Sequence, residues 1–325
     1  MPGLASKIMY RLYPPRHAHF FAQRMVMNPS TRNKVSGLIA SRLPQANSRN
    51  DDAQISSISR ALEENGFAMM NDIVSKKQIG EIHTFLRDKK CVDRWRPEAG
   101  EFLIENASEQ CHVAPYLDSV VNEAPHLLEI ANHPLVLGVI EKIFGCKPTI
   151  SQLGIWWSLT GHDAPEQAEF YHRDVDDWKF IKLFVYLTDV DEGSGPHKFI
   201  RTSQNQAKLL PIHRYTDKEV FEAFGIDKQM IFTGEAGTCF LENTFGFHKG
   251  QMPSTRNRLL FQAQYSLFPI GINDYSPLNA ASRGVSLDPY INRLYVRTLV
   301  LYAYHISRKP IPDVLLVGHS RKNDS

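Results

Sequence analysis

Tyr171-His172-Arg173-Asp174-Val175-Asp176-Asp177, followed 76 residues after its histidine by Phe247-His248-Lys249-Gly250, is the stretch from which the rest of the chain can be read. Residues i and i+2 of an extended segment project to the same side, so His172 and Asp174 can grip one ion while Arg173 points away between them. Two imidazoles and one carboxylate are the set that holds a non-haem Fe(II) on one face and leaves the opposite positions open. The long gap requires the third ligand, His248, to come from elsewhere in the fold. The same donors suit Zn, Mn or Ni, so the ligands alone do not choose the metal.

An arginine narrows the choice. After His248 comes the turn-rich Gly250-Gln-Met-Pro-Ser-Thr255, and then Arg256-Asn-Arg258-Leu-Leu-Phe-Gln-Ala-Gln-Tyr-Ser266, which reads as a strand with a cation at its start. A guanidinium at Arg258 is placed to pair bidentately with the remote carboxylate of 2-oxoglutarate while the keto-acid end of that molecule chelates iron. Arg256 shares that face if the strand is already regular there, and is the alternative anchor. The segment Phe180-Ile-Lys-Leu-Phe-Val-Tyr-Leu-Thr188 alternates strictly. Ile181, Leu183, Val185 and Leu187 form a core face, opposite Phe180, Lys182, Phe184, Tyr186 and Thr188. A lysine among aromatics either reaches solvent along its stem or meets an anion inside a barrel.

From about Ile55 to Tyr304 the chain resembles the phytanoyl-CoA dioxygenase family of Fe(II)/2-oxoglutarate oxygenases. The likeness rests on the metal and arginine motifs, on the lead-in Leu128-Glu-Ile-Ala-Asn-His-Pro-Leu-Val-Leu137, on Leu187-Thr-Asp-Val-Asp-Glu-Gly-Ser-Gly-Pro196 and on Phe199-Ile-Arg-Thr-Ser203. It implies that His172, Asp174 and His248 are the iron ligands, that Arg258 binds 2-oxoglutarate, and that Phe184 lies against it. Lys182, and more weakly Gln152, are further binding candidates. The implied reaction consumes O2 and 2-oxoglutarate, releases succinate and CO2, and hydroxylates a C–H bond, or desaturates or cyclises after the same abstraction. Related halogenases carry a small apolar residue where this chain has Asp174, which argues against halogenation. Two departures stand out: Gly250 occupies a position where relatives often carry Ser, and Arg201-Thr-Ser-Gln204 replaces a usual Pro-Gly-Ser-His.

Around these motifs the 325 residues, 42% hydrophobic, are enough to bury one large core. Helices are expected over Ile55–Asn65, from an N-cap at Ser75 to about Asp88, over 116–144 with a stop at Gly145, and from Pro289 to about His305. Phe67–Met70 reads as a short strand. From Lys147 strands dominate: Thr149–Leu159, Glu169–Arg173, Phe180–Val190, His197–Arg201, Gly237–Glu242 and Arg258–Leu267. Helices first and antiparallel strands later imply an α+β domain, a double-stranded β-helix (jelly-roll, cupin-like) core with flanking helices. The expected division is a basic extension over 1–50, one domain over 51–310 (helical lead-in 55–146, β-helix core 147–270, C-terminal helix 289–305) and a frayed tail over 311–325.

Charge is uneven. Residues 1–50 hold eight Lys/Arg and no acid, so the net +2 of the whole chain hides an acidic remainder. Such an arm could lie on an anionic surface, but Pro14-Pro15 interrupts any long amphipathic helix, so local packing or a cover over the substrate cleft is favoured over membrane contact. No apolar run reaches membrane-spanning length, and no secretory pattern opens the chain. The widely spaced Cys91, Cys111, Cys146 and Cys239 fit reduced thiols and a cytoplasmic placement. No nucleic-acid motif is present, and a small-molecule substrate is expected, its pocket shaped by 75–144 and the loop Ile212 to Met230. Two other classes fit the metal motif: a metal-dependent barrel enzyme that does not use 2-oxoglutarate, and a non-catalytic metal-binding protein. Neither needs Arg258.

Overall fold

The computed structural model describes residues 15–46, 52–273, 275, 278–279 and 287–297. The strands are β1 (Phe67–Met70), β2 (Cys91–Val92), β3 (Glu101–Phe102), β4 (Val113–Pro115), β5 (Thr149–Ser158), β6 (Phe180–Tyr186), β7 (His197–Ile200), β8 (Gln229–Phe232), β9 (Cys239–Glu242), β10 (His248–Gly250), β11 (Arg258–Ser266), β12 (Leu278–Asn279) and β13 (Val296–Arg297). Among the described residues a six-stranded sheet runs in the order β1-β9-β6-β11-β5-β4 and a three-stranded sheet in the order β10-β7-β8, both antiparallel.

The alternation in β6 decides what lies on each side of the larger sheet. Ile181, Leu183, Val185 and Leu187 join the core packed under the helices Ala53–Asn65, Lys76–Leu86 and Pro134–Phe144. Phe184 and Tyr186 point the other way and meet Phe199 and Phe232 of the smaller sheet, with Phe240 and Leu260, in a second apolar layer. Each such side chain contributes about 1.5–3 kcal/mol on leaving water, so a one-residue slip of β6 would expose both layers at once. The helix Ala53–Asn65 ends at Gly66, whose φ of 90° is the left-handed cap that glycine adopts without strain.

Three expectations are corrected. The 116–144 helix is three helices, Asp118–Glu123, Leu127–Ala131 and Pro134–Phe144, because the residues before Pro125 and Pro134 take extended ψ values of 138° and 129°. Glu169–Arg173 is not a regular strand. The chain turns over Gln167–Glu169, where the Glu169 carboxylate accepts from the Glu166 N–H at 2.7 Å, and then makes isolated bridges at Tyr171 and His172. The helix expected from Pro289 is a turn through Tyr295 that leads into β13; its later residues lie outside the described ones, as does the tail. The Asn292 and Asn132 side-chain amides exchange hydrogen bonds at 2.8 Å, and the Tyr295 hydroxyl accepts from the Leu153 N–H at 2.8 Å, so tertiary ties override the local helical start.

The basic N-terminal segment forms two helices, Pro15–Arg24 and Pro29–Ala40. Arg32 is only 3% exposed. Its guanidinium donates to the Gln23 and Val26 carbonyls at 2.8 and 2.9 Å, to Gln23 Oε1 at 2.9 Å and to the Asp177 carbonyl. It also sits over the rings of Phe245 and Trp178. Gln23 and Arg24 both donate to the Val175 carbonyl. These helices therefore grip the segment that follows Asp174. Among the described residues no helix is long and apolar enough to cross a membrane.

Candidate functional site

His172 and His248 face each other across an antiparallel bridge, each donating its backbone N–H to the other's carbonyl at 3.0 Å. Two residues on, the Asp174 N–H donates to the Thr244 carbonyl at 2.9 Å, which keeps the segment extended and returns Asp174 to the face of His172. One ligand atom from each of His172, Asp174 and His248 then lies within 4.8 Å of the others. His248 Nε2 is 3.3 Å from Asp174 Oδ2, His172 Nε2 is 3.6 Å from Asp174 Oδ1, and the two ring centroids are 4.3 Å apart. Both Nδ1 atoms are held at 3.0 Å by backbone carbonyls, those of Phe170 and Gly246. A ring that donates from Nδ1 presents a lone pair at Nε2, so both imidazoles aim free donors at one point beside a carboxylate. The donor set and its orientation fit a divalent ion.

Arg173 points the other way, donating to the carbonyls of Phe245, Gln206 and Lys208 while its guanidinium lies 4.4 Å from the Phe247 ring centroid. It fastens the two metal-bearing segments from behind. Lys182 reaches into the site, 2.6 Å from Asp174 Oδ2 and 3.4 Å from Asp176 Oδ2. Burial by itself would raise the Asp174 carboxyl, but Lys182 and then His248 outweigh it and hold this group well below the usual carboxylate range. Burial and the neighbouring His248 push His172 the opposite way, well below the usual imidazole value.

Arg258 starts β11, 4% exposed, and its register partner across the sheet is Ser158. Its Nη2 lies 3.0 Å from Ser158 Oγ and its Nη1 donates to the Gly195 carbonyl. Nε has no partner, and among the described residues no carboxylate comes within ion-pair distance of this guanidinium. A buried cation with an idle donor keeps capacity for a further acceptor. Gly250 lies beside it: a Cβ there would stand 3.0 Å from Arg258 Nη2. Arg256, by contrast, is exposed and paired with Asp191 at the surface, because the regular strand begins only at Arg258.

Phe184 lies against His197, with ring centroids 4.8 Å apart, and against Phe240 at 5.3 Å. Gln262, opposite Phe184 in the register, donates to Gln152 at 3.3 Å. The structure adds residues that sequence reasoning missed. His197 stacks on His248, with centroids 5.6 Å apart, and its Nε2 is 3.0 Å from Glu242. Burial pushes the Glu242 carboxyl up to about 8 and His197 well below its usual value, so each is held neutral. Neither residue carried a motif. The signal for Ser158 was its place at the end of a strand that pairs with the one opened by Arg258.

No protein-family model matches the chain, and no curated protein does. Solved structures do. EctD from S. alaskensis, with 2-oxoglutarate and 5-hydroxyectoine, is similar at a TM-score of 0.50 with 14% identity, covering 80% of this chain and 89% of that one. HygX from Streptomyces hygroscopicus, with nickel and 2-oxoglutarate bound, gives 0.48 and 14% over 75% and 96% of the two chains. SnoN, a non-heme alpha ketoglutarate dependent epimerase from nogalamycin biosynthesis, gives 0.47 and 18% over 76% and 97%. The likeness to EctD is one of fold. At this identity it extends to the mixed helix and antiparallel-sheet architecture and no further.

Proposed function

We propose that this chain is a non-haem Fe(II)/2-oxoglutarate-dependent oxygenase of the phytanoyl-CoA dioxygenase type, that its two facing sheets form a double-stranded β-helix, and that it hydroxylates a C–H bond of a small molecule. The observation that carries the reading is the pairing of the His172/Asp174/His248 cluster with a buried Arg258 that has an idle donor and no carboxylate partner. A plain metal site or a metal enzyme that does not use 2-oxoglutarate has no need of that cation. EctD's structure with 2-oxoglutarate agrees with this assignment.

His172 and His248 would supply imidazole nitrogens to the ion, and Asp174 a carboxylate that Lys182 keeps ionised. Fe(II) with 2-oxoglutarate and O2 supplies the hydrogen-abstracting chemistry, with succinate and CO2 as products. Arg258 would hold the far carboxylate of 2-oxoglutarate through charge-assisted hydrogen bonds, beside Gly250. Phe184 and Leu260, buried between the sheets, would help keep water from a bound co-substrate. Asp174 itself fills the position a chloride would require, which favours hydroxylation over halogenation. The four cysteines are free and buried, which suits a cytoplasmic enzyme.

Anaerobic calorimetry with Mn(II) on metal-stripped protein, followed by 2-oxoglutarate, tests the assignment. The wild type should bind both, His172→Ala and His248→Ala should lose the metal, and aerobic addition of Fe(II), 2-oxoglutarate and ascorbate should release succinate. Unchanged metal affinity in both variants would remove the ligand set. Metal binding without 2-oxoglutarate binding would favour the 2-oxoglutarate-independent enzyme.

A further inference from the structure

Two arginines lie within reach of the charge of Asp174, and the proposed reaction leaves both unused. Arg214 is positioned by backbone pairing. Tyr215 and Tyr171 exchange N–H···O bonds at 2.8 and 3.0 Å, so the preceding residue, Arg214, falls opposite His172, and side chains opposite one another in an antiparallel pair lie on one face. Arg94 comes from a different segment. Its N–H donates to the Val113 carbonyl at 3.2 Å, and Val113 pairs in register with Ser158, the residue that touches Arg258. The Asp93 carboxylate caps the N–H groups of Trp95 and Arg96 at 2.8 and 3.0 Å, so the loop that bears Arg94 is a fixed turn.

The two guanidinium groups share an electrostatic environment. The charge of Asp174 acts on both, that of Asp176 on Arg94, and the two arginines act on each other. Yet among the described residues neither makes an ion pair or a side-chain hydrogen bond, whereas the adjacent Arg96 is paired with both Asp93 and Glu166. The Arg94 side chain is hemmed in by protein and still open to solvent, as befits the wall of a cleft. Asp174 and Asp176 are already engaged by Lys182, and a divalent ion on Asp174 would withdraw that carboxylate further. Two guanidinium groups within reach of each other's charge, each with its donors uncommitted to protein, are suited to hold an anion between them.

Resting on the oxygenase reading, we propose that Arg94 and Arg214 clamp an oxoanion, a carboxylate or phosphate group, of the primary substrate, and so hold its C–H bond over the metal. The substrate class is thus an anionic small molecule. Trp95, over whose ring Arg94 lies at 5.6 Å, offers an apolar shelf for the rest of it.

The test uses full-length protein loaded with Mn(II) and 2-oxoglutarate, titrated separately with inorganic phosphate and with acetate, while the 31P or methyl 13C signal of the probe reports paramagnetic broadening by the nearby ion. Saturable broadening by phosphate alone identifies a phosphorylated substrate, by acetate a carboxylate. Either result, weakened at least about tenfold in Arg94→Gln and in Arg214→Gln, with unchanged melting temperatures, supports the clamp. Arg60→Gln, on the exposed face of the Ala53–Asn65 helix, should leave it unchanged. Absence of saturable broadening by both anions, or equal affinity in the variants, overturns the clamp. Should the protein take up neither Mn(II) nor 2-oxoglutarate, the oxygenase reading fails instead, and calorimetry of phosphate and acetate on the metal-free wild type and variants decides the clamp by the same criterion.

Discussion

Replacing Arg258 by Ala removes a cation that is 4% exposed, together with its bonds to Ser158 and Gly195. In the proposed complex it also removes a bidentate, charge-assisted contact to the far carboxylate of 2-oxoglutarate. Hydrogen bonds to charged groups are worth about 1.5–3 kcal/mol, which is a weakening of about 10- to 150-fold at 1.4 kcal/mol per factor of ten. The metal cluster is built from other segments, so Mn(II) affinity should be unchanged. Titrating 2-oxoglutarate into Mn(II)-loaded protein by anaerobic calorimetry reads the effect directly, with a Mn(II) titration of each variant as the control. Arg256→Ala, which removes only an exposed pair with Asp191, should change the affinity by less than about twofold. If Arg258→Ala binds 2-oxoglutarate as the wild type does while Arg256→Ala loses it, the co-substrate enters from another side of the barrel and the anchor is misassigned.

Two further outcomes follow from the same geometry. Arg32→Ala strands the Gln23, Val26 and Asp177 carbonyls in the interior and should destabilise the fold by about 3 kcal/mol; a thermal melt within a degree of the wild type would show that the N-terminal helices do not secure the segment after Asp174. Glu242 has a carboxyl pushed by burial from 4.5 to about 8, so the folded state keeps a proton that the unfolded chain releases, and stability should fall as pH rises from the unfolded value through about 8. Glu242→Gln should flatten that slope in denaturant melts across the window, and an unaltered slope would assign it to other groups.

Local signals made some elements legible in advance. Gly66 and Ser75 carry capping chemistry that depends on one or two neighbours, and both terminate or start helices as their residue types dictate. The period-two pattern of β6 specified which side chains face the helices and which face the second sheet, because a strand has only two faces. The helix expected over 116–144 failed where Pro125 and Pro134 broke it, and the one expected from Pro289 failed where the Asn292–Asn132 tie and the pairing of β13 drew the chain away.

The sequence by itself determined that His172 and Asp174 share a face, that Arg173 turns away, and that a cation opens the strand after His248, since these follow from the geometry of a few consecutive residues. Only the tertiary structure decided that His248 lies across a bridge from His172, that Ser158 and Gly250 lie beside Arg258, that Arg256 is lost to Asp191 at the surface, and that Arg94 and Arg214 both come under the charge of Asp174. Each of those depends on contacts between segments tens of residues apart. The register of paired strands sets them, and no local preference encodes it.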